Sequence, residues 1–231
     1  MTHPKSPIVK YAAAAATALT AVGVLGMLLV RETLYRGYAF PSLMLASAGY
    51  LLVAVVGGAL RWWYGRCIVV ALTLCFIGDY LGPGSFMTGL AAFLLAHFGF
   101  MAAFCVRGLT VGRCLRALAI VLAVSDVMLW WIYPYVPRSD WLGIHAYVAV
   151  ITAMMALAGG SREGRGWPLI VLAASAFYAS DVFLARSKYV SHQTLNFAIG
   201  YPLYYTACVL FAYSAFFRGE ESSHAERSEP T

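Results

Sequence analysis

Three aspartates lie inside long apolar stretches of this chain, where ionisable side chains are rare. They are Asp79, Asp126 and Asp181, and two histidines, His97 and His145, lie in neighbouring stretches. Carboxyl and imidazole groups can donate and accept protons in catalysis. An ionised carboxylate at the middle of a bilayer costs about 2.5–3.5 kcal/mol on the insertion scale, so such residues persist when they face a bundle interior and have a function. These five residues are therefore the first candidates for a functional site.

The composition around these residues is that of a membrane protein. The 231-residue chain is 61% apolar and only 11% charged, and its mean hydropathy is +0.75, whereas soluble domains contain about 25% charged residues. This composition excludes an ordinary cytosolic enzyme, a nucleic-acid-binding domain and a disordered chain. The net charge of +6 is interpreted as a topology signal, because the Lys and Arg residues lie at the ends of apolar stretches.

Charged residues, prolines and glycines divide the chain into eight apolar blocks. Their limits are 8–30, 38–60, 66–81, 86–106, 114–136, 141–160, 166–185 and 195–217. The blocks are continuous rather than alternating, and a helix satisfies its own backbone hydrogen bonds in lipid. We therefore expect an all-α membrane protein of about eight transmembrane helices in a single bundle. The first block is too long for a signal-peptide core and is kept as a span. Residues 1–217 are expected to form the membrane domain and 218–231 a polar cytoplasmic tail.

The distribution of basic residues predicts the orientation. An even number of spans puts both ends of the chain on one side. Eleven basic residues fall on that side: Lys5, Lys10, Arg61, Arg66, Arg107, Arg113, Arg116, Arg162, Arg165, Arg218 and Arg227. Five fall on the other side: Arg31, Arg36, Arg138, Arg186 and Lys188. The positive-inside rule therefore places both termini in the cytoplasm, and we expect a multi-pass protein of the plasma (inner) membrane.

This topology gathers most ionisable groups in the outer half of the bilayer. Asp79 and Asp181 are expected near the outer ends of the third and seventh spans, and His97 and Asp126 near mid-depth. The outer parts of the sixth and eighth spans carry further polar side chains: His145, Tyr147, Tyr201, Tyr204 and Tyr205. A polar cavity open toward the outer leaflet or the bundle centre explains this distribution.

Each candidate also has a purely structural interpretation. Asp126 could hydrogen-bond a neighbouring serine or backbone carbonyl and hold two helices together. His97 could be a donor between helices, and His145 could extend toward the membrane interface. Asp79 could cap the next helix across the turn at 82–84. Against these, each aspartate follows a small residue, in Gly78-Asp79, Ser125-Asp126 and Ser180-Asp181, which leaves room for a water or a substrate group.

The sequence lacks the motifs of several other chemistries. It contains no P-loop, no G-x-S-x-G elbow and no H-E-x-x-H motif, so ATP, serine or zinc hydrolysis has no support. The five cysteines show no C-x-x-C spacing and mostly lie in or beside apolar runs. They are expected to pack as small apolar residues rather than to form disulfides or bind zinc.

Several short motifs, in a consistent order, resemble those of one known family. They are the segment 176–185 (AFYASDVFLA), Gly78-Asp79 followed by 92–97 (AFLLAH) and Phe100, Tyr147 followed by Met154, and Pro202-Leu203-Tyr204-Tyr205 leading to Ser214. Over about residues 38–215 the chain resembles the YhhN-like membrane family, the lysoplasmalogenases.

The resemblance implies an eight-span enzyme that hydrolyses the vinyl-ether bond of lysoplasmalogens, with a choline or ethanolamine headgroup. The products are a fatty aldehyde and a glycerophospho-headgroup. This chemistry calls for one carboxylic acid that delivers a proton and one carboxylate that stabilises the cation and activates water, without a metal or cofactor. We expect Asp79 and Asp181 to be this catalytic pair, in an order left open. His97, Tyr204 and Tyr205 are expected to position water or substrate, and the remaining substrate-binding candidates are Tyr147, Ser180 and Asp126.

Two other functions stay open at this point. Intramembrane acids and a histidine also suit a proton-coupled transporter of a lipid or small metabolite, although no matching halves with broken helices are evident. A non-catalytic membrane scaffold is the third possibility, and it predicts that neutralising the aspartates changes only stability. Whichever function holds, the lipid bilayer is an expected partner, no nucleic acid is expected, and the oligomeric state stays undetermined.

Overall fold

The fold is all-helical, as the sequence predicts. The computed structural model describes residues 7–30 and 36–228, with side chains described for 7–30 and 37–216. The helices are α1 Pro7–Val30, α2 Ala39–Val56, α3 Trp63–Leu81, α4 Phe86–Arg107, α5 Val111–Ile132, α6 Trp141–Gly160, α7 Trp167–Tyr189 and α8 Thr194–Ser228. All eight are long and apolar enough to cross a membrane. This confirms the prediction of eight helices able to cross a membrane and supports a multi-pass membrane protein.

Most predicted limits agree with the helices to within one residue, but six differ by three or more. Helix α2 ends at Val56 rather than 60, and α5 spans Val111–Ile132 rather than 114–136. Helix α3 begins at Trp63 rather than 66, and α7 continues to Tyr189 rather than ending at 185. The prediction stopped at Arg186, but a cation is stable in the last turn of a helix, where the helix dipole favours it. Because of this extension Asp181 lies eight residues, or about 12 Å, inside the end of α7. Asp181 therefore lies farther from the end of α7 than expected. The backbone of α8 continues as helix to Ser228, across the predicted start of the polar tail.

Some residues used to predict the topology fall outside the described structure. Lys5 and Arg31 lie outside the described residues, and the side chains of Arg36, Arg218 and Arg227 are not described. The orientation of the termini therefore stays a prediction.

The helices pair mainly as α1–α2, α3–α4, α5–α6 and α7–α8. Helix α4 packs on α6 rather than on α5, and α8 packs against α1, α2, α3 and α7. Small residues permit this close packing in lipid. A Cβ at Gly23 would lie 2.5 Å from the backbone nitrogen of Ala46, so only glycine allows α1 and α2 to approach this closely. Helix α5 is the outermost: it packs mainly on α6, and most of its side chains are exposed on the bundle surface.

Two pairs of turns close opposite ends of the bundle. At one end the α4–α5 and α6–α7 connections meet, where Arg162 N–H donates to the Gly108 carbonyl at 2.8 Å and Thr110 N–H to the Gly160 carbonyl at 2.8 Å. Buried Arg107 donates from Nε to the Arg162 carbonyl at 2.9 Å. The α3–α4 and α7–α8 turns lie at the other end, and the candidate site lies beneath them.

Candidate active site

Asp79 is held by hydroxyl groups from two other helices. One carboxylate oxygen, Oδ2, accepts hydrogen bonds from Ser47 Oγ at 2.6 Å, Tyr204 OH at 2.9 Å and Tyr50 OH at 3.1 Å. Ser47 and Tyr50 lie one turn apart on α2, and Tyr204 lies on α8, so three helices meet at this carboxyl group. Asp79 is only 6% exposed. Three donors on one oxygen are an arrangement suited to an ionised carboxylate.

The donors leave no role for Asp79 as a helix cap. Ser85 caps α4 instead, because its side chain accepts from the Thr88 backbone N–H. The structural interpretation in which Asp79 caps the next helix is therefore wrong. Gly78, the preceding residue, packs against Phe93: a Cβ there would lie 2.9 Å from the end of that ring.

Asp181 has a different environment. Its Oδ2 accepts a hydrogen bond from Tyr147 OH at 3.0 Å, and His97 Nε2 lies 3.7 Å away. His97 is fully buried, and Nδ1 lies 2.6 Å from the Phe93 carbonyl, one turn earlier on α4. Because that carbonyl only accepts, Nδ1 carries the proton, and in the neutral ring Nε2 is then an acceptor. Among the described contacts Nε2 has no hydrogen bond; it faces the Asp181 carboxyl group.

The ring of Phe177 lies between a hydrogen-bond partner of Asp79 and the histidine that faces Asp181. The ring of Phe177 lies 5.0 Å from His97 and 5.4 Å from Tyr204, both edge-to-face. Phe93 contacts Tyr204 in the same way, at 5.6 Å. Phe93 and Phe177 line the same cavity as the two carboxyl groups, and apolar surface of this kind strengthens electrostatic interactions beside it.

Both carboxyl groups line one cavity of about 610 Å³. Its inner wall includes Phe93, Phe177 and Tyr204, and its rim is formed by the α3–α4 turn and the α7–α8 connection. The structure thus brings together Asp79 and Asp181, which are 102 residues apart in sequence, at the end of the bundle where the sequence predicts a polar cavity.

A second, narrower groove of about 100 Å³ lies between α4, α5, α6 and α7. It is lined by Tyr147, Tyr178 and Asp181 and otherwise by apolar and aromatic side chains. Four residues line both spaces: Phe86, Leu90, Asp181 and Leu184. Asp181 therefore lies where the two spaces meet.

The other predicted residues fall into two groups. Ser180 lines the wide cavity, and its Oγ donates to the Phe177 carbonyl at 2.7 Å. Tyr205 lies behind the Asp79 cluster, with its OH 3.2 Å from Ser47 Oγ. Asp126 lines neither space and is exposed on the outer face of α5, so the structure does not bring it to the site. His145 is also exposed, with Nδ1 2.7 Å from the Trp141 carbonyl.

The polar link near Asp126 is made by its neighbour. Ser125 Oγ lies 2.7 Å from Thr152 Oγ1 and 2.9 Å from Tyr178 OH. Ser125 thus connects α5, α6 and α7, which is the helix-joining role that the sequence offered for Asp126.

Sequence reasoning missed the donors Ser47 and Tyr50. Their signal was a serine and a tyrosine one turn apart in an apolar span, which is also common in helix packing. It also missed the polar residues of the wide cavity, where Lys188 and His192 are exposed and Asn196 lies buried. Across the described residues, no group of three or more His, Cys, Asp or Glu side chains is arranged to hold a metal ion.

Comparisons with known proteins agree with the motifs. The YhhN family model matches residues 38–215. A lysoplasmalogenase of Mycobacterium bovis is 28% identical over 193 residues, covering 76% of this chain and 70% of that protein. The human lysoplasmalogenase TMEM86A is 29% identical over 167 residues, covering 68% of each chain, and the Bos taurus protein of that name is 29% identical over 158 residues, covering 64% of each. No solved structure matches significantly. With its family match spanning most of the chain, including both aspartates of the cavity, the protein belongs to the YhhN family.

Proposed function

We propose that this protein is a membrane-embedded hydrolase that cleaves the vinyl-ether bond of lysoplasmalogens. The substrate is a lysophospholipid with one alkenyl chain and a choline or ethanolamine headgroup, and the products are a fatty aldehyde and a glycerophospho-headgroup. The observation that carries the proposal is the presence of two carboxyl groups, Asp79 and Asp181, on one cavity inside an apolar bundle. Relatives named lysoplasmalogenase support the choice of substrate.

The reaction needs two carboxyl groups with different tasks. A proton is added to the alkenyl carbon farther from oxygen, and the carbon bonded to oxygen becomes part of an oxocarbenium ion. Water adds to that carbon and gives up a proton to a base, forming a hemiacetal. Collapse of the hemiacetal breaks its bond to the glycerol oxygen and releases the aldehyde. One acid and one base suffice, as in glycoside hydrolysis, and one water is consumed.

The surrounding groups position these partners. Tyr204 fixes the Asp79 carboxylate and Tyr147 the Asp181 carboxyl group through the hydrogen bonds described above. The acceptor nitrogen of His97, 3.7 Å from Asp181, and the serine hydroxyl of Ser180 are placed to orient water or the substrate glycerol. Tyr205 supports the cluster through Ser47. These groups are fixed before substrate arrives, which lowers the cost of organising the reacting atoms.

We also propose that both termini face the cytoplasm and that residues 218–231 form a polar cytoplasmic tail of the 1–217 membrane domain, in the plasma membrane. The excess of basic residues on the terminal side supports this orientation. The wide cavity then opens toward the opposite side. Thiol labelling of Ser228→Cys and Ser191→Cys in intact cells tests the orientation: a membrane-impermeant reagent should label the second variant but not the first.

Conversion by the purified protein tests the function. We expect the wild type in detergent, with no ion gradient, to release aldehyde from a lysoplasmalogen. Asp79→Asn and Asp181→Asn should each abolish release while the protein keeps its helical content and its elution volume. Glu163→Gln, at an exposed acid that pairs with Arg113 away from both spaces, is the matched control. Undiminished activity in both aspartate variants would remove the proposal, and substrate movement without conversion would favour a transporter.

A further inference from the structure

The narrow groove beside Asp181 is built differently from the wide cavity. Its walls come from four helices and consist mainly of aliphatic and aromatic side chains, among them Met128 and Leu129 of α5, Ile144 and Val148 of α6, and Val182 of α7. The groove of about 100 Å³ is about one sixth the size of the wide cavity of about 610 Å³. This apolar lining suits a hydrocarbon chain and disfavours a charged headgroup, because an unpaired charge in an apolar site is costly.

The wide cavity offers the complementary chemistry at its rim. Lys188 and His192 are exposed there, and Asn196 lies buried beside them. Lys188 Nζ lies 4.7 Å from the centre of the Phe86 ring, and Phe86 lines both spaces. The cationic group therefore lies close to the junction, where it can interact with the phosphate of a lysophospholipid.

We propose that the narrow groove is the binding site for the hydrocarbon chain of the substrate, with the glycerophospho-headgroup in the wide cavity. This proposal rests on the proposed function for the identity of the substrate. The continuity of the two spaces identifies the occupant: the groove meets the wide cavity at Phe86, Leu90, Asp181 and Leu184. A single-chain amphiphile lying across that junction has its polar and apolar parts in matching surroundings, and its ether linkage lies beside Asp181.

This orientation assigns the two carboxyl groups. The alkenyl carbon that receives the proton is on the chain side of the ether, and Asp181 lines the groove as well as the cavity. Asp79 lines only the wide cavity, on the side of the carbon that water attacks. Asp181 therefore gives its proton to the chain-side carbon, and Asp79 takes a proton from the attacking water. The proton passed to Asp79 returns to solvent, and Asp181 is reprotonated from solvent before the next turnover.

Chain-length dependence of binding tests the groove without requiring turnover. The probes are radiolabelled, saturated 1-O-alkyl lysophosphatidylcholines of 8 and 16 carbons, which contain no vinyl ether, bound to the protein in lipid nanodiscs. Val148→Phe narrows the groove, and Val127→Phe makes the same substitution at a residue that is 57% exposed on α5. Partitioning of the probes into lipid is the same for both variants, so it cancels in the comparison.

We expect Val148→Phe to reduce the preference for the longer chain by about tenfold, which corresponds to about 1.4 kcal/mol, and Val127→Phe to leave it unchanged. Should Val148→Phe not fold, Ala185→Leu gives the same comparison, because Ala185 of α7 also lines the groove. Its control is Ala123→Leu on the exposed face of α5. An unchanged chain preference in the folded groove variants would overturn the proposal. Loss of the preference in a protein that releases no aldehyde would refute the proposed function but not the chain site. Aldehyde release with an unchanged chain preference would refute the chain site but not the proposed function.

Discussion

Replacing Tyr204 with phenylalanine removes one of the three hydroxyl donors to Asp79 and leaves the ring in place. The lost bond is 2.9 Å long, and the donors that remain are Ser47 at 2.6 Å and Tyr50 at 3.1 Å. A hydrogen bond to a charged group contributes about 1.5–3 kcal/mol. If Asp79 must hold its charge against the cation and orient the attacking water, that loss appears in the transition state. Because each 1.36 kcal/mol is tenfold in rate, we expect kcat/KM to fall roughly 10- to 150-fold.

The assay is aldehyde release by purified protein in detergent, measured across substrate concentrations so that kcat and KM are separated. Tyr64→Phe is the matched control, because Tyr64 is also buried and its OH lies 2.6 Å from Ser214 Oγ, away from the carboxyl groups. Both variants lose a buried hydroxyl contact, so both should lose stability by about 1 kcal/mol, but only Tyr204→Phe should lose activity.

A double-mutant cycle sharpens this prediction. The hydroxyls of Tyr50 and Tyr204 lie 3.5 Å apart and share one acceptor. Their combined replacement should therefore change kcat/KM by a factor that differs from the product of the two single effects. The coupling free energy should be about 0.5–3 kcal/mol. Equal kcat/KM for wild type and Tyr204→Phe would refute the assignment of Asp79 to the reaction, because the hydrogen bonds would then serve folding alone.

The remaining predictions concern the assigned roles, the outer helix and local packing. In Asp79→Ala, azide can attack the oxocarbenium ion without a base, so azide should restore substrate consumption and form an azido ether. Asp181→Ala should show no such rescue. Rescue of both variants, or of Asp181→Ala alone, would contradict the assigned order. Asp126→Asn should keep most of the wild-type kcat/KM, because Asp126 lies on the outer face of α5 and lines neither space. A loss comparable to that of Asp79→Asn would show that Asp126 belongs to the active site. Gly78→Ala should lower both the thermal unfolding midpoint and the activity, because its Cβ would lie 2.9 Å from the Phe93 ring and the adjacent Asp79 must shift. A midpoint and an activity like those of the wild type would show that the ring moves without cost.

The eight spans could be predicted because lipid imposes a simple rule. Every backbone polar group must be satisfied within the helix, so each span appears as a continuous apolar block. The limits failed where charges lie inside a helix end, as at Arg186, because a charged side chain near the interface can reach water while its backbone stays helical. That error placed Asp181 too near the end of α7.

The direction in which Asp126 points could not be predicted. In a soluble protein the apolar face of a helix identifies the core, but in a bilayer both the lipid-facing and the buried sides are apolar. Between Ala117 and Ile132, helix α5 has no polar side chains other than the adjacent Ser125 and Asp126, so its sequence does not say which side faces α6. The structure turns Ser125 inward toward Thr152 and Tyr178 and leaves Asp126 outside.

Residue type and the family motifs predict the pairing of Asp79 with Asp181, and in the structure both carboxyl groups line one cavity. What the sequence could not supply were the partners that make the two carboxyl groups different. Ser47 and Tyr50 act on Asp79 through bonds across 32 and 29 residues of chain, and Tyr147 acts on Asp181 across 34. Such contacts depend on which helices are neighbours, and apolar blocks alone do not determine that.

Hydrolysis in heavy water tests the central claim most directly. Wild-type protein in detergent is incubated with a lysoplasmalogen in deuterium oxide, the aldehyde is reduced at once to the alcohol, and both products are analysed by mass spectrometry. Protonation on carbon predicts one deuterium on the carbon next to the former aldehyde group, and glycerophospho-headgroup in equal amount. A fatty acid in place of the aldehyde, or an aldehyde without deuterium at that carbon, would contradict the account.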